Sequence, residues 1–269
     1  MAQQTQRAER YEPHGDWNVL YLDGAVDGAD RETIAVENPA TGAEFTEVPA
    51  GTTDDVDEAF ELAQEAQAEW AETSPAERQQ VLQQAVGTVR EHREELLDLL
   101  ATESGSTRVK AEGELQTALG MMQEAVSFPT RTGGDHRDSL VPGKEHLVKR
   151  EPVGVVSVIS PWNFPFHLSM RAVAPALALG NAVVLKPASD TPITGGLVLA
   201  RIFEDAGLPE GLLTVVTGRG SDIGDRIAGH DAASVVSFTG SSEVGAQVAA
   251  TAAENFALPA MELGGNGPH

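Results

Sequence analysis

The sequence predicts an α/β fold in which a doubly wound parallel sheet follows an N-terminal helical region. From residue 151 onward, short runs of β-branched and other apolar residues alternate with amphipathic segments of helical spacing. These runs are apolar throughout, which is typical of parallel strands that helices cover on both faces. The predicted strands are 153–159, 182–185, 212–216, 235–238 and 258–263, and the helices between them are about 167–179, 191–206, 221–229 and 242–254.

The region before residue 151 is predicted to hold an arm, short strands and three helices. Residues 1–16 are polar and are expected to form a mobile arm, whereas residues 17–50 alternate with turn residues and predict short strands. Ser74, Pro75 and Glu77 supply an N-cap, a first helical residue and a capping box, so a helix is expected to begin there. The three helices are expected at about 54–70, 74–102 and 108–127.

Charge is unevenly distributed along the chain. It has 41 acidic and 18 basic residues, a formal net charge of −23, and residues 1–150 hold 30 of the acids against 13 bases. An acid excess with few lysines resembles proteins from a high-salt cytoplasm, where ions screen self-repulsion over less than a nanometre. An acidic mesophilic protein is the alternative. The Gly-, Asp- and Arg-rich stretch 131–150 marks the predicted boundary between regions 1–150 and 151–269.

Composition excludes several classes of protein. Without cysteine the chain can form neither a disulfide scaffold nor a thiolate zinc site, and a pI near 4.5 argues against nucleic-acid binding. The apolar runs are too short to cross a bilayer, the N-terminus lacks an apolar signal core, and the seven histidines show no metal-ligand spacing. We therefore expect a soluble, cytoplasmic protein without nucleic-acid, membrane or metal partners.

Two glycine-rich turns follow predicted strands and are candidates for binding a nucleotide. The turn that holds Gly220 and Gly224 is one residue longer than the dinucleotide fingerprint, so a turn that merely permits close packing explains it equally well. The segment 239–245 opens a helix, where free N–H groups and the Ser241 hydroxyl could hold a pyrophosphate. Taken alone, this segment could also be only a capped turn.

Three polar side chains stand at the ends of predicted strands. Asn163, between two prolines, could donate a hydrogen bond to a developing oxyanion, and a simple turn former is the alternative. Lys186 is one of four lysines and suits a ligand hydroxyl or phosphate, unless it is an ordinary surface amine. Glu262 precedes two glycines and could serve as a general base if it were buried; a carboxylate that caps a neighbouring helix is the alternative.

Four motifs occur in order at the ends of successive predicted strands. They are Ile159-Ser160-Pro161-Trp162-Asn163-Phe164-Pro165, Lys186-Pro187-Ala188-Ser189-Asp190-Thr191-Pro192, Phe238-Thr239-Gly240-Ser241-Ser242-Glu243-Val244-Gly245 and Glu262-Leu263-Gly264-Gly265. Together they resemble the NAD(P)-dependent aldehyde dehydrogenase superfamily, over essentially the whole chain from about Val36. The resemblance implies a Rossmann-like dinucleotide-binding domain in 151–269. It also implies a projecting oligomerisation segment at about 131–150, which would make the full-length protein a homo-oligomer.

The resemblance implies a role for each matching residue. Asn163 matches the asparagine of the oxyanion hole, and Glu262 matches the general base. Lys186 matches the lysine that binds the adenosine ribose hydroxyls. Ser189 stands where NAD-preferring members often carry Glu and leaves room for a 2′-phosphate, so the expected cofactor is NAD or NADP. The other residues expected around the cofactor are Ile159, Ser160, Trp162, Gly220, Gly224, Phe238, Thr239, Gly240, Ser241, Val244, Gly245 and Leu263.

Two departures from the family pattern bear on function. Asn266 stands where lysine is common and, with residues 165–170, resembles benzaldehyde and vanillin dehydrogenases. The family's nucleophile is a cysteine beyond the strand of Glu262, and this chain has none, so a thiohemiacetal cannot form on it. We expect the N-terminal half of an enzyme that oxidises an aldehyde to a carboxylate, without its C-terminal catalytic domain. A fragment of a longer enzyme is favoured, and an inactive nucleotide-binding module or one half of a split enzyme remain open.

Overall fold

The computed structural model describes residues 10–267, and its centre is a seven-stranded sheet. The strands are Val19–Leu22 (β1), Gly24–Asp27 (β2), Thr33–Asn38 (β3), Ala43–Pro49 (β4), Asp135–Asp138 (β5), Glu145–Val148 (β6), Val155–Ile159 (β7), Ala182–Lys186 (β8), Leu213–Val215 (β9), Ala233–Thr239 (β10) and Leu258–Glu262 (β11). The α-helices are Thr53–Glu72 (α1), Pro75–Glu91 (α2), Arg93–Ser104 (α3), Arg108–Ser127 (α4), Pro165–Ala178 (α5), Val198–Asp205 (α6), Gly220–Ala228 (α7) and Ser242–Glu254 (α8).

Five strands form the parallel part of the sheet that the alternating pattern predicts. The strand order is β11-β10-β7-β8-β9-β1-β2, and each of the pairs from β11 to β9 is parallel. The chain therefore moves outward from β7 through β8 to β9, and then returns to the other side of β7 to form β10 and β11. The order reverses between β7 and β10, which is where open α/β sheets bind ligands at the carboxyl ends of their strands.

Helices cover both faces of this sheet. On one face α5 and α6 pack against β7 to β9, with α2 and α4 outside them, and on the other face α1, α7 and α8 pack against the strands. The strands β7 and β8 are almost wholly buried, which agrees with their continuous apolar sequences. The edge strand β11 is exposed along most of its length.

The N-terminal region is more closely tied to the sheet than the sequence suggests. The predicted mobile arm is wrong for residues 10–16, since Tyr11 is fully buried and donates a hydrogen bond to Asp205 at 2.8 Å. Arg201 donates to the carbonyls of Arg10 and Asp16, which fastens this segment to α6. The rest of the predicted arm, residues 1–9, lies outside the described residues. The buried strand β1 pairs antiparallel with β9 and adds β2 to the sheet, so strands from both sides of residue 150 share it.

One helix boundary was predicted wrongly. The helix expected over about 74–102 is two helices, α2 and α3, which meet at His92 with φ −99° and ψ 28°. The buried His92 ring stacks on Tyr11 with centroids 4.2 Å apart, a long-range contact that no local pattern encodes. Helix α4 has the predicted bounds, and α3 ends at the left-handed Gly105 as expected of a helix C-terminus.

The segment 131–150 forms a two-stranded antiparallel hairpin of β5 and β6 that stands off the main sheet. Both strands are exposed along their whole length, as are Leu140 and Val141 in the turn between them. Within residues 10–267, no helix combines the length and the apolar character needed to cross a bilayer.

Candidate active site

The register of the parallel strands brings most of the predicted site residues to one edge of the sheet. Ile159 at the end of β7 pairs with Lys186 on one side and with Phe238 on the other. One residue further on, Thr239 pairs with Glu262. Four motifs that together span more than 100 residues of sequence therefore end side by side, around the point where the strand order reverses.

The loop after β7 presents Trp162 and Asn163 to solvent. Ser160 is buried and fixed, because its N–H donates to the Lys186 carbonyl at 3.1 Å and its hydroxyl accepts from Ser169 at 2.7 Å. Beyond it the chain turns outward, and Trp162 is 61% exposed. The Asn163 Oδ1 accepts from the N–H of Phe164 at 3.1 Å. The amide Nδ2, which is the donor that an oxyanion requires, has no hydrogen-bond partner among the described residues.

Lys186 is a buried ammonium rather than a surface amine. It is only 4% exposed, and its Nζ donates to the Pro187 carbonyl at 2.9 Å. Burial lowers the pKa of Lys186 to about 8, against the opposing effect of the nearby Asp190 and Asp222 carboxylates. Among the described residues the Pro187 carbonyl is the hydrogen-bond partner of this buried cation, which leaves two N–H donors for a ligand.

Ser189 and Trp162 line one open groove of about 590 Å³ beside these strand ends. Arg219, at the N-cap of α7, lines the same groove and contributes a cation that is more than half exposed. Gly220 and Gly224 lie on α7 just beyond it, and a Cβ at either position would meet no atom within 4 Å. These two glycines follow β9 and are thus separated from the β7 and β10 ends by the intervening strand β8.

The segment from β10 into α8 is a helix N-terminus supported by close packing. Ser241 is the N-cap, and its hydroxyl accepts from the Val244 N–H at 3.3 Å. A Cβ on Gly240 would approach the buried Phe238 ring to 2.5 Å. At Gly245 a Cβ would approach the Leu263 side chain to 2.2 Å, so Leu263 packs directly over this helix. The glycines therefore let the Phe238 ring and Leu263, the residue directly after β11, lie close to the first turn of α8. The leading N–H groups of a helix have no partner within the helix and are available to a ligand.

Glu262 is exposed, so the burial on which the general-base argument from sequence depended is absent. Its side chain is 64% exposed and its Oε2 lies 3.8 Å from Nη1 of Arg171 on α5. Arg171 also donates to the Thr239 hydroxyl at 3.2 Å, which joins the ends of β10 and β11. The main chain of Glu262 is better fixed than its side chain, because its carbonyl accepts from the Gly240 N–H at 3.1 Å.

Sequence reasoning missed two charged residues beside the Asn163 loop. Glu114 on α4 is buried and accepts hydrogen bonds from the N–H groups of Phe166 and His167. Its presence on the apolar face of a helix, between Ala111 and Leu115, was a signal that could have been used. Lys110 lies over the Phe164 ring, 4.4 Å from its centroid, and no local pattern indicates that contact.

A second hollow lies on the far side of that loop, between α4 and α5. Its volume is about 430 Å³ and its surface is mainly apolar. It is lined by Val109, Lys110, Gly113, Glu114, Thr117, Phe164, His167 and Leu168. Phe164, the neighbour of Asn163 in sequence, forms part of its wall, so the hollow lies beside the loop that carries Asn163.

Comparison with known proteins agrees with this arrangement. The model of the aldehyde dehydrogenase family matches residues 25–269. A vanillin dehydrogenase from Corynebacterium glutamicum is 50% identical over 233 residues, which are 86% of this chain and 48% of that protein. A benzaldehyde dehydrogenase from Bacillus subtilis is 44% identical over 240 residues, which are 89% of this chain and 50% of that protein.

A solved structure gives the same result for the fold. The crystal structure of a NAD-dependent benzaldehyde dehydrogenase from Corynebacterium glutamicum matches with a TM-score of 0.88 and 46% identity, over 93% of this chain and 55% of that one. The chain belongs to the aldehyde dehydrogenase family, and its similarity to benzaldehyde and vanillin dehydrogenases is confirmed. It spans about half the length of the curated relatives that it matches.

Proposed function

We propose that this chain forms the dinucleotide site and part of the catalytic site of an NAD(P)-dependent aldehyde dehydrogenase, which oxidises an aldehyde to a carboxylate. The observation that carries the proposal is the strand register. It brings Lys186, Thr239 and Glu262 to one edge of the sheet, with Asn163 on the adjoining loop. Membership of the family supports the same reaction class.

The residues at this edge fit a dinucleotide in charge and in shape. The first turn of α8, with the Ser241 hydroxyl, offers N–H donors and a positive helix end to a pyrophosphate. The Lys186 ammonium suits ribose hydroxyls. Ser189 is small and uncharged, so a ribose 2′-phosphate would not meet a carboxylate at that position, and both NAD and NADP are admitted. When bound, the nicotinamide would accept the hydride of the aldehyde.

Asn163 and Glu262 would act on the substrate. As the aldehyde carbon becomes tetrahedral, its oxygen gains negative charge, and the free Nδ2 of Asn163 would stabilise that charge; such a donor typically contributes a factor of about 10² to 10³ in rate. Glu262 would accept a proton from the nucleophile or from the hydrolytic water. Arg171, whose Nη1 lies 3.8 Å from the Glu262 Oε2, would help to hold that carboxylate beside the end of β11.

The nucleophile must come from outside these residues. Oxidation through a thiohemiacetal needs a thiolate, and the 269 residues contain no cysteine. We therefore propose that the chain binds cofactor and positions substrate, and that turnover depends on residues that it does not contain.

The substrate class is proposed to be aromatic aldehydes. The mainly apolar hollow between α4 and α5 is lined by Phe164, the residue after Asn163, and its volume of about 430 Å³ exceeds that of a substituted benzene ring. The names of the similar proteins, a vanillin and a benzaldehyde dehydrogenase, point to the same class.

Self-association and location complete the proposal. The exposed β5–β6 hairpin, with Leu140 and Leu147 in solvent, is proposed to contact a second copy of the protein. A cytoplasmic location and a halophilic source are proposed from the expected dinucleotide cofactor and from the net charge of −23.

Thermal unfolding with added nucleotide tests the proposed function. At 100 times its dissociation constant, a ligand that binds only the folded state stabilises it by about 2.7 kcal/mol, which for a chain of this size raises the Tm by roughly 5 °C or more. NAD+ or NADP+ should produce this rise, whereas nicotinamide alone, which lacks the phosphates, should not. No rise with either dinucleotide would refute the proposal, and aldehyde-dependent NADH formation by the chain alone would refute the external nucleophile.

A further inference from the structure

Helix α5 begins without a cap of its own. Its N-cap residue is Phe164, whose side chain makes no capping hydrogen bond, and its first residue is Pro165, which has no N–H. The N–H groups of Phe166 and His167 would then be buried or half-buried without a partner at the start of the helix. Asn163 directly precedes this turn. Motion of an unsatisfied first turn would therefore also displace the Asn163 amide, which in the proposed function binds the substrate oxygen.

Glu114 supplies the missing cap from a different helix. Its Oε1 accepts from the Phe166 N–H at 2.9 Å and from the His167 N–H at 3.2 Å. The residue is 1% exposed, so these bonds are shielded from water. Burial raises the pKa of Glu114, against the opposing effects of the His167 N–H and of Lys110. A buried carboxylate is costly to a fold, so its position under this loop calls for a role beyond packing.

Lys110 extends the contact to the loop itself. Its Nζ lies 3.4 Å from the second carboxylate oxygen of Glu114, 2.7 Å from the Ser106 hydroxyl and 4.4 Å from the centre of the Phe164 ring. The ion pair therefore holds the α5 N-terminus through Glu114 and the Phe164 ring through Lys110. Between them these contacts hold Phe164, Phe166 and His167, three of the four residues that follow Asn163. The Asn163 side chain itself bonds only to the Phe164 N–H among the described residues.

We propose that Glu114, assisted by Lys110, is a positioning residue that aims the Asn163 amide from helix α4. This proposal rests on the proposed function, because the orientation of the Asn163 amide affects catalysis only if that amide stabilises an oxyanion. Within residues 10–267, the hydrogen bonds and the ion pair of Glu114 reach Lys110, Phe166 and His167 and none of the strand-end residues. Its loss is therefore expected to disturb Asn163 and to leave nucleotide binding unchanged.

The chain provides a matched control in Glu103. This carboxylate is also buried on a neighbouring helix and accepts two N–H bonds, from Ile193 at 2.8 Å and Thr194 at 2.6 Å, at the turn before α6. Glu103→Gln and Glu114→Gln therefore each replace a buried carboxyl group that caps two backbone N–H groups by an amide of nearly the same shape. Only the cap that Glu114 forms lies next to Asn163. A change at Asn163 that occurs in Glu114→Gln and not in Glu103→Gln is therefore a local effect and not a general loosening of the fold.

Nuclear magnetic resonance of the full chain tests the proposal without requiring turnover. In Glu114→Gln and Glu114→Ala, amide hydrogen exchange at Phe166 and His167 should quicken by roughly tenfold or more, with alanine the larger effect because glutamine keeps an acceptor oxygen. The Asn163 side-chain NH2 signals should shift, and their order parameter should fall below about 0.6. Lys110→Met should shift the Asn163 side-chain signals by a smaller amount. This variant provides the test if Glu114→Ala does not fold.

The control variants decide between positioning and simple capping. Glu103→Gln should quicken exchange at Ile193 and Thr194 and leave the Asn163 signals in place. Unchanged Asn163 signals in both Glu114 variants, or an equal change in Glu103→Gln, would overturn the proposal. The thermal shift with NADP+ should be the same in Glu114→Gln and in the unaltered chain. Failure of nucleotide binding in the unaltered chain would refute the proposed function instead, and the two failures are thereby distinguished.

Discussion

Lys186 shows how burial changes what a residue can do. A surface lysine stays charged far above neutral pH, whereas burial lowers the pKa of Lys186 to about 8. The ammonium form, which would attract a phosphate or donate to a ribose hydroxyl, is therefore lost within the range in which enzymes are commonly assayed. Sequence indicated the residue through its rarity and its strand end, but not its burial.

Nucleotide affinity should consequently fall as pH rises through about 8. Between pH 7 and pH 9 we expect NADP+ to bind roughly tenfold more weakly, because the neutral amine no longer attracts the phosphate. NAD+, which lacks the 2′-phosphate, should show a shallower fall. Isothermal titration calorimetry at pH 7, 8 and 9 checks both slopes. Lys186→Gln should bind more weakly at pH 7 with no such slope, and a slope that persists in this variant would assign the titration to another group.

Glu103 joins two elements of the fold, because it lies on α3 and its carboxyl caps the turn that leads into α6. Burial raises the pKa of its carboxyl to about 7, against the lowering effect of bonds from Thr194 and Ile193. The folded state thus keeps a proton that the unfolded state releases above about pH 4.5. The corresponding stability is present at low pH and is lost as pH rises through about 7.

Replacing Glu103 should remove this pH dependence. Between pH 5.5 and pH 8, the free energy of unfolding of the unaltered chain should fall by about 2 kcal/mol more than that of Glu103→Gln, because each unit of pKa shift corresponds to about 1.4 kcal/mol. Urea unfolding at a series of pH values measures the difference between the two curves. Parallel curves would mean that the carboxyl ionises equally in both states.

At the scale of elements, α2 and α8 are helices with equivalent serine caps and different surroundings. Ser74 caps α2 and Ser241 caps α8, each accepting one backbone N–H at 3.3 Å. Ser74→Ala and Ser241→Ala should each cost about 1 kcal/mol in the free energy of unfolding, as loss of an N-cap usually does. Of the two variants, only Ser241→Ala should also weaken nucleotide binding. The reason is that α8 begins at the carboxyl edge of the sheet and α2 does not. Equal affinity for NAD+ in the two variants would remove Ser241 from the site.

Much of the element order could be predicted, and the errors share a cause. Helix α4 and the strands β7 to β10 follow from local periodicity and cap residues, which lie within a few positions of each other. The break at His92 and the burial of Tyr11 depend on contacts with residues distant in sequence. Local periodicity carries no information about such contacts. Exposure of Glu262 has a similar origin, since a strand's position at the sheet edge is set by topology.

Candidate site residues that lie within sequence motifs could be predicted. Residues that reach the same region from another helix could not. Asn163, Lys186 and Glu262 were predicted from their motifs, and the register brings together β8, β11 and the end of β7, which the Asn163 loop follows. Their roles remain predictions. Glu114 and Arg171 reach the same region from helices α4 and α5. Each is a single charged residue within a helix, and only the tertiary packing shows what it contacts.

For the whole molecule, the net charge of −23 is the dominant electrostatic feature. The acids are concentrated in residues 1–150, whose helices carry many of them on exposed faces. Self-repulsion among them acts over a screening length of about 10 Å at 0.1 M salt and about 3 Å at 1 M. Stability should therefore depend strongly on ionic strength.

Raising KCl from 0.1 M to 2 M should increase the Tm of the chain by about 10 °C, because screening removes repulsion that the unfolded chain can relieve by expanding. Differential scanning calorimetry measures this directly, and NaCl at the same concentrations should give the same curve if screening is the cause. A Tm that stays level or falls with salt would support the alternative of an ordinary acidic mesophilic protein.

The proposed dinucleotide site can be tested most directly by mapping where NAD+ binds. In a titration of the ²H,¹⁵N-labelled chain followed by transverse relaxation-optimised spectroscopy, the amide signals of Ser160, Thr239, Gly240, Ser242 and Gly245 should shift together and saturate with one affinity. The signals of Ser74 and of the β5–β6 hairpin should stay in place. Shifts confined to other surfaces, or none at millimolar NAD+, would contradict a dinucleotide site at the carboxyl edge of this sheet.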